Sequence, residues 1–327
     1  MFAFAPVSEA QRYRWRDYDD KPSEWFASDG ARRIADNVLT YQDRHGGFPK
    51  NLEMVSAPFD GDRAQLYSTF DNGATHGQLP FFAHVYWATD DRTYADVCNR
   101  IIDYILAAQY PNGGFPQRYP LRGRYSDHIT FNDGSMVGVM RMLRTVVEDD
   151  AYSFVGEKRL SEARDAWKRG LSCILNVQIV VDGKRTVWCA QHDAETLEPR
   201  GARSYEHPSL SGAESAGILM FLMDQENPSD AVVEAVNAGA AWFEASALSG
   251  FRLERTDEDR IVVKDTDAPP MWARFFEIGT NRPIFSGRDG VIKHSLAEIE
   301  HERRTGYSWY GGWGQKVAER HETWLKR

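Results

Sequence analysis

The sequence has 327 residues, 42% of them hydrophobic and 27% charged, which is typical of a soluble globular protein of one or two domains. The net charge of −9 and the lack of a lysine- and arginine-rich run argue against nucleic acid as a partner. No apolar run approaches transmembrane length, so no membrane is expected as a partner. The opening segment, MFAFAPVSEAQRYRW, lacks the basic and apolar regions of a signal peptide.

Two motifs recur along the chain and divide it into repeats. GGFP at 46–49 returns at 113–116, and each copy follows a glutamine, Gln42 or Gln109. TFDNGA at 69–74 returns as TFNDGS at 130–135. A weaker third copy is WCAQ at 188–191 followed by SLSGAE at 209–214. The repeats predict a series of similar helical units.

Helical periodicity fills the segments between these motifs. Ala95, Cys98, Ile101, Ile102, Ile105 and Ala108 form one apolar face. The other predicted helices cover about 71–90, 133–148, 160–178, 211–224 and 229–246, and short extended pieces are expected at 186–191 and 261–264. A series of repeated helical hairpins predicts a mainly helical fold, an α/α toroid. No linker divides the chain, so we expect a single domain over residues 1–327, with long loops that carry the site.

Cysteines and histidines offer no recognisable site. Three cysteines at wide spacing form neither a disulfide framework nor a CxxC pair, and Cys98 and Cys173 are expected in the core. The nine histidines form no zinc-binding spacing. His207 lies near Ser209, but such closeness in sequence does not make a hydrolase triad.

The repeated DNG and NDG turns carry the first candidate site. Asp71 and Asp133 occupy equivalent places in the two copies, and each has an asparagine neighbour, Asn72 or Asn132. An Asp before a helix is most often an N-cap. A set of carboxylate and amide oxygens also suits a hard cation such as Ca²⁺.

Arginines in loops rich in Pro, Gly and aromatic residues form the second candidate site. They are Arg203, Arg274, Arg282 and Arg288. A guanidinium group binds a carboxylate in a planar, two-bond arrangement. Several such arginines in an acidic protein predict a groove that binds carboxylates.

These motifs together resemble polysaccharide lyase family 10, the pectate lyases with an (α/α)₃ toroid. The resemblance rests on GGFPKN at 46–51, TFDNGAT at 69–75, QYPNGGFPQRYPLRGRYSDHITFND at 109–133, VWCAQHDAETLEPRGARSYEHPSLSGAES at 187–215, APPMWARFFEIGTNRPIFSGRDG at 268–290 and RRTGYSWYGGW at 303–313. These motifs run through almost the whole chain. The resemblance implies an enzyme, secreted or periplasmic, that cleaves polygalacturonate by calcium-assisted β-elimination. We expect a monomer, since nothing in the sequence suggests a larger assembly.

The resemblance also implies roles for individual residues. Asp71 and Asp133 would belong to the calcium site, and Asp71 and Asn72 would contact substrate. Arg203 would be the Brønsted base, and Arg274 and Arg288 would bind the substrate carboxylate. One departure is His207, where the family pattern suggests Leu, and this change could alter the pH profile.

Three alternatives remain open at this point. Arginine is ordinarily protonated, so Tyr205 or His207 could serve as the base instead of Arg203. A glycoside hydrolase would use Asp71 and Asp133 as acid and base, without calcium and without an unsaturated product. A non-catalytic module would bind pectate and leave it intact.

Overall fold

The computed structural model of the protein describes residues 15–326, so the opening segment 1–14, in which no signal peptide is recognised, lies outside the described residues. Contacts divide the chain into two compact units. The first holds residues 15–122 and 133–171, and the second holds 123–132 and 172–326. The single domain expected over residues 1–327 stays a prediction.

Helices account for most of the regular structure. They are α1 (Arg16–Asp19), α2 (Ser23–Phe26), α3 (Asp29–Leu39), α4 (Gln78–Thr89), α5 (Arg92–Ala108), α6 (Ser135–Glu148), α7 (Glu157–Asn176), α8 (Gly212–Met223), α9 (Asp230–Ala245), α10 (His301–Thr305) and α11 (Trp313–Trp324). In the described part of the chain, every helix is too short or too polar to span a bilayer.

The strands are short and pair antiparallel. They are β1 (Ile129–Thr130), β2 (Val180–Val181), β3 (Lys184–Arg185), β4 (Gln191–His192), β5 (Pro199–Arg200), β6 (Leu210–Ser211), β7 (Phe251–Arg255), β8 (Arg260–Lys264), β9 (Trp272–Ala273), β10 (Phe275–Phe276), β11 (Phe285–Ser286), β12 (Ile292–Lys293) and β13 (Tyr310–Gly311). One sheet has the order β1-β4-β5, and the pairs are β2-β3, β6-β10, β7-β8, β9-β13 and β11-β12. All of them lie in the second unit.

Each unit has a helical core of its own. In the first unit, α4 is apolar all round and packs against α2, α3 and α5. In the second unit, α8 is equally apolar and packs against α9 and α11. The apolar face predicted for α5 is buried as expected, and so are Cys98 and Cys173.

Three glutamines, each at the end of a hairpin, make the same pair of hydrogen bonds. Each Nε2 donates to a carbonyl in the segment that follows and to a carbonyl of a later helix, which is α5, α7 or α9. The partners are Gly46 and Val97 for Gln42 (2.8 and 3.2 Å), Gly113 and Ala166 for Gln109 (3.0 and 2.8 Å), and Thr186 and Ala235 for Gln178 (2.9 and 3.0 Å). The structure therefore contains three related helical hairpins, and Gln178 marks a third copy that the sequence motifs show only weakly.

Helix starts differ from prediction at the DNG and NDG turns. Residues 71–73 form a short 3₁₀ turn, and α4 begins only at Gln78 because positive φ angles at Asn72 (56°) and Thr75 (69°) interrupt the helix. The second turn, at 132–134, likewise precedes α6. Of the extended pieces, 261–264 lies in β8, whereas 186–191 is strand only at its last residue.

Candidate active site

The two repeated turns share one backbone conformation. In each, the middle residue is left-handed, with φ 56° at Asn72 and 52° at Asp133, and the glycine that follows is left-handed as well. The residue before it is buried: Asp71 is 1% exposed and Asn132 is 4% exposed. Asn72 and Asp133 are exposed. The structural counterpart of Asp71 is therefore Asn132, and that of Asp133 is Asn72, which corrects the pairing of the two aspartates as equivalents.

Neither aspartate is a helix N-cap. The N-cap of α4 is Gly77 and that of α6 is Gly134, and neither helix begins with a side-chain capping bond. The capping explanation of Asp71 and Asp133 is therefore wrong.

Asp71 has one oxygen engaged and one without a partner. Its Oδ2 accepts from Lys50 Nζ in a salt bridge and from Gln117 Nε2 at 3.0 Å. Its Oδ1 is buried and has no hydrogen-bond partner among residues 15–326. Leaving a buried carboxylate oxygen unpaired costs on the order of 1–3 kcal/mol. The turn therefore holds an acceptor that a bound group could satisfy.

The second turn forms a hydrogen bond with an arginine. Arg274 Nη2 donates to Asn132 Oδ1 at 3.1 Å and forms a salt bridge with Glu214. Glu214 also accepts from the hydroxyl of Ser211, the N-cap of α8. These groups are all buried, and burying a charge costs much free energy unless the charge is paired and hydrogen-bonded. Arg274 thus has a fixed position with its charge compensated.

Arg203 lies in a two-bond pair with Glu206. Its Nε and Nη2 are 2.8 and 2.6 Å from the carboxylate oxygens, and its backbone N–H donates to the same side chain at 3.1 Å. These hydrogen bonds raise the pKa of the Arg203 guanidinium above its usual value. Burial pushes the pKa of Glu206 upward, but its bonds with Arg203 outweigh burial and hold that pKa below the ordinary range. In this arrangement Arg203 is a cation.

Tyr307 joins the two arginines. Its ring centroid lies 4.6 Å from the guanidinium carbon of Arg274 and 5.7 Å from that of Arg203, within reach of a cation–π contact. Its hydroxyl donates to Glu206 at 2.7 Å, and burial raises the pKa of the Tyr307 phenol. Tyr307, Glu206 and Glu214 were not identified from the sequence, although the motif at 303–313 contains Tyr307.

Arg288 is linked to this cluster only indirectly. It is 63% exposed and makes two bonds with Glu302, at 3.0 and 2.9 Å. Glu302 also pairs with Arg303, whose guanidinium lies 4.8 Å from the ring of Tyr205. The exposed position leaves Arg288 accessible to a ligand in solution.

Arg282 lies apart from the arginine cluster. Its carbonyl accepts from the Glu277 N–H at 2.8 Å in a tight turn, and its side chain is exposed. In the described residues, no hydrogen bond or ion pair joins Arg282 to Arg203, Arg274 or Arg288. The structure therefore does not bring all four predicted arginines together.

The two alternative bases differ in their environment. Burial raises the pKa of Tyr205, and burial lowers the pKa of His207. His207 Nε2 is buried and has no hydrogen-bond partner in the described chain. Ser209 donates to the carbonyl of His207 and not to its ring, so the two residues form no serine–histidine pair.

The candidate metal ligands form an incomplete set. Calcium takes roughly six to eight oxygen ligands. Asp71 supplies one unsatisfied buried oxygen, and Asp133 supplies an exposed carboxylate. Residues 15–326 contain no group of three or more His, Cys, Asp or Glu side chains that could hold a metal. These donors fit an ion that completes its shell with ligand carboxylates and water, and they do not form a closed protein cage.

Comparison with known proteins gives a consistent result. The family model for pectic acid lyases matches residues 42–318. A family 10 polysaccharide lyase from Cellvibrio cellulosa is 34% identical, with a TM-score of 0.83 and coverage of 97% of this chain and 98% of that chain. A mutant of a family 10 lyase from the same organism, in complex with trigalacturonic acid, is 36% identical, with a TM-score of 0.82 and coverage of 92% and 97%. No curated protein sequence matches the chain.

These similarities confirm two predictions. The resemblance to polysaccharide lyase family 10, drawn from the motifs, is correct. The fold class is also correct, because the described chain is mainly helical and its structural neighbours belong to a family with the α/α toroid fold.

Proposed function

Because this chain belongs to the pectic acid lyase family and is a polysaccharide lyase, we propose that it cleaves α-1,4-polygalacturonate by calcium-assisted β-elimination. The observation that carries this proposal is the arginine pair of the second unit, in which Arg203 and Arg274 lie against Tyr307. The similar structure with trigalacturonic acid supports the same substrate class. We also propose that it acts as a monomer, and that it acts in a secreted or periplasmic setting, which the resemblance supports.

The chemistry requires positive charge at one carboxylate. Elimination removes the proton at C5, next to the C6 carboxylate, and expels the C4 oxygen of the glycosidic bond. Negative charge then builds up on an anion already present. Preorganised cations lower that barrier. Arg274, fixed by Glu214 and Asn132, and the accessible Arg288 would bind this carboxylate.

Calcium would be held by Asp71 and Asp133, with Asn72 beside them in contact with substrate. When bound, the ion would neutralise substrate carboxylates and so make the C5 proton more acidic. The unsatisfied Oδ1 of Asp71 supports this assignment, since a carboxylate oxygen is a preferred calcium ligand.

We propose Arg203 as the group that removes the C5 proton. A guanidinium can accept a proton only after it has lost one, and the pairing with Glu206 works against that loss. Nearby cations work in the opposite direction. Activity therefore requires an alkaline medium and a weakened contact between Arg203 and Glu206.

An absorbance assay tests the proposal. The protein is mixed with polygalacturonate at alkaline pH, with calcium or with EDTA, and the 4,5-unsaturated product is followed in the ultraviolet. Calcium-dependent absorbance that Arg203→Ala removes is the expected result. The matched control is Arg200→Ala, three residues earlier at the end of β5, which loses a salt bridge with Asp193 and should stay active.

Other outcomes would favour the alternatives. Reducing ends without ultraviolet absorbance would mean hydrolysis and would contradict elimination. Binding of polygalacturonate without any cleavage would support a non-catalytic module. Membership of a lyase family argues against both.

A further inference from the structure

A cavity of about 200 Å³ opens in the first unit near the Asp71 turn. Its walls come from residues 43–45, 63–64, 66–68 and 118–122. Arg118 directly follows Gln117, whose side chain donates to the Asp71 carboxylate at 3.0 Å. Ser68, another wall residue, stands three residues before Asp71, so the cavity wall adjoins the turn that is proposed to bind substrate.

The cavity is basic although the protein as a whole is acidic. Four arginines line it, Arg44, Arg63, Arg118 and Arg122, against a single carboxylate, Asp43. Asp43 is buried, and its Oδ1 already accepts a backbone N–H two residues later at 2.8 Å. Within residues 15–326, no carboxylate is within salt-bridge distance of Arg44, Arg63 or Arg118. These three guanidinium groups, each without a carboxylate partner there, attract anions even where the net charge is −9.

An exposed aromatic ring lies among these cations. The guanidinium carbon of Arg122 is 3.9 Å from the ring centroid of Tyr67, and Tyr67 is 49% exposed. Tyr119 forms another part of the wall, and its carbonyl accepts from the buried Tyr104 hydroxyl at 2.9 Å. Exposed aromatic faces with adjacent arginines suit a sugar ring that carries a carboxylate.

We propose that this cavity is a subsite for a galacturonate residue away from the bond that is cleaved. This inference rests on the proposed function, because it takes the same polymer as ligand. A polygalacturonate chain has a carboxylate on every sugar, so a bound stretch needs cations at several positions. Arg118 and Arg122 bind one such carboxylate, and Tyr67 contacts the ring. Long chains therefore bind more tightly than short ones.

The test compares Arg118→Gln with Arg164→Gln, a control that removes an exposed arginine of α7 in the same unit. Binding of polygalacturonate is measured in EDTA, where no turnover occurs, with a neutral galactan as the comparison polymer. We expect Arg118→Gln to weaken polygalacturonate binding about tenfold, the lower end for a hydrogen bond to a charged group. Arg118→Lys should restore much of it, and the control and the galactan should show no change.

Oligogalacturonides of defined length supply the second readout. For Arg118→Gln, we expect the ratio of its KM to that of the unmodified protein to rise as the oligomer lengthens, while kcat stays equal to that of the unmodified protein. An equal loss for the shortest cleavable oligomer, a fall in kcat, or unchanged binding would overturn the subsite. Because binding in EDTA does not depend on cleavage, failure of the lyase proposal and failure of this one are seen separately. Thermal unfolding of each variant shows whether it is folded.

Discussion

Replacement of Glu206 by Gln tests whether Arg203 acts as a neutral base. The substitution removes the negative charge from the Arg203 pair but leaves a side-chain oxygen that can accept from Tyr307, now 2.7 Å away. Without that charge, the pKa of Arg203 should fall. If the neutral guanidine removes the C5 proton, the rate should then reach its alkaline plateau at a lower pH.

The size of the shift follows from Coulomb's law. Two unit charges about 4 Å apart interact by about 4 kcal/mol at an effective dielectric constant of about 20, which corresponds to roughly 3 pKa units. The Arg203 side chain is 41% exposed, and solvent screening reduces the interaction to about a third of that value. We therefore expect the alkaline limb of the profile of kcat against pH to move down by about one pH unit. At pH values below this limb, the variant has more neutral guanidine, but that guanidine is a weaker base. We therefore expect kcat to rise there by only about threefold.

The assay is kcat for formation of the unsaturated product, measured across the alkaline pH range at saturating polygalacturonate and calcium. The control is Glu234→Gln, which removes an exposed glutamate paired with Arg185 and should leave the profile unchanged. If Glu206→Gln lowers kcat at every pH and leaves the limb where it was, Arg203 acts as a permanent cation. The proton would then go to another group, and Arg203 would not be the base.

Two further predictions concern the buried ionic groups. Arg274→Ala should lower the free energy of unfolding by about 3–5 kcal/mol in a denaturant titration, because Glu214 is left buried without its cation; Arg274→Lys should recover part of that loss, and equal stability of both variants would contradict a buried ion pair. Asp71→Asn should raise the calcium concentration at half-maximal rate about tenfold, because a charged oxygen ligand is lost; an unchanged calcium dependence would remove Asp71 from the ion site.

The periodicity of apolar residues in the sequence was sufficient to predict most of the helices. The spacing of apolar residues in α5 matches its buried face because burial of that face is what positions the helix. The starts of α4 and α6 were missed at the two turns. Hydrophobic periodicity indicates which side chains pack. The left-handed residues Asn72 and Asp133 instead delay the start of the following helix through their backbone geometry.

The arginines of the candidate site were found from loop composition, but their partners were not. Glu206 is close to Arg203 in sequence, yet its burial and its two-bond geometry follow from tertiary packing around Tyr307. Arg274 pairs with Glu214, sixty residues earlier in the chain. Such partners leave no periodic signal, because an ion pair between distant segments needs only one residue on each side.

The repeated turns show how a duplicated element can acquire two chemistries. The buried position carries a charged acceptor in one copy, Asp71, and a neutral acceptor in the other, Asn132. Asp71 is paired with Lys50, whereas Asn132 accepts from Arg274, whose charge is balanced by Glu214. A second aspartate at the position of Asn132 would compete with Glu214 for that arginine. The exchange of Asp and Asn between the copies therefore leaves a neutral acceptor at the buried position beside Arg274 and Glu214, and it places the negative charge of the second turn on an exposed residue.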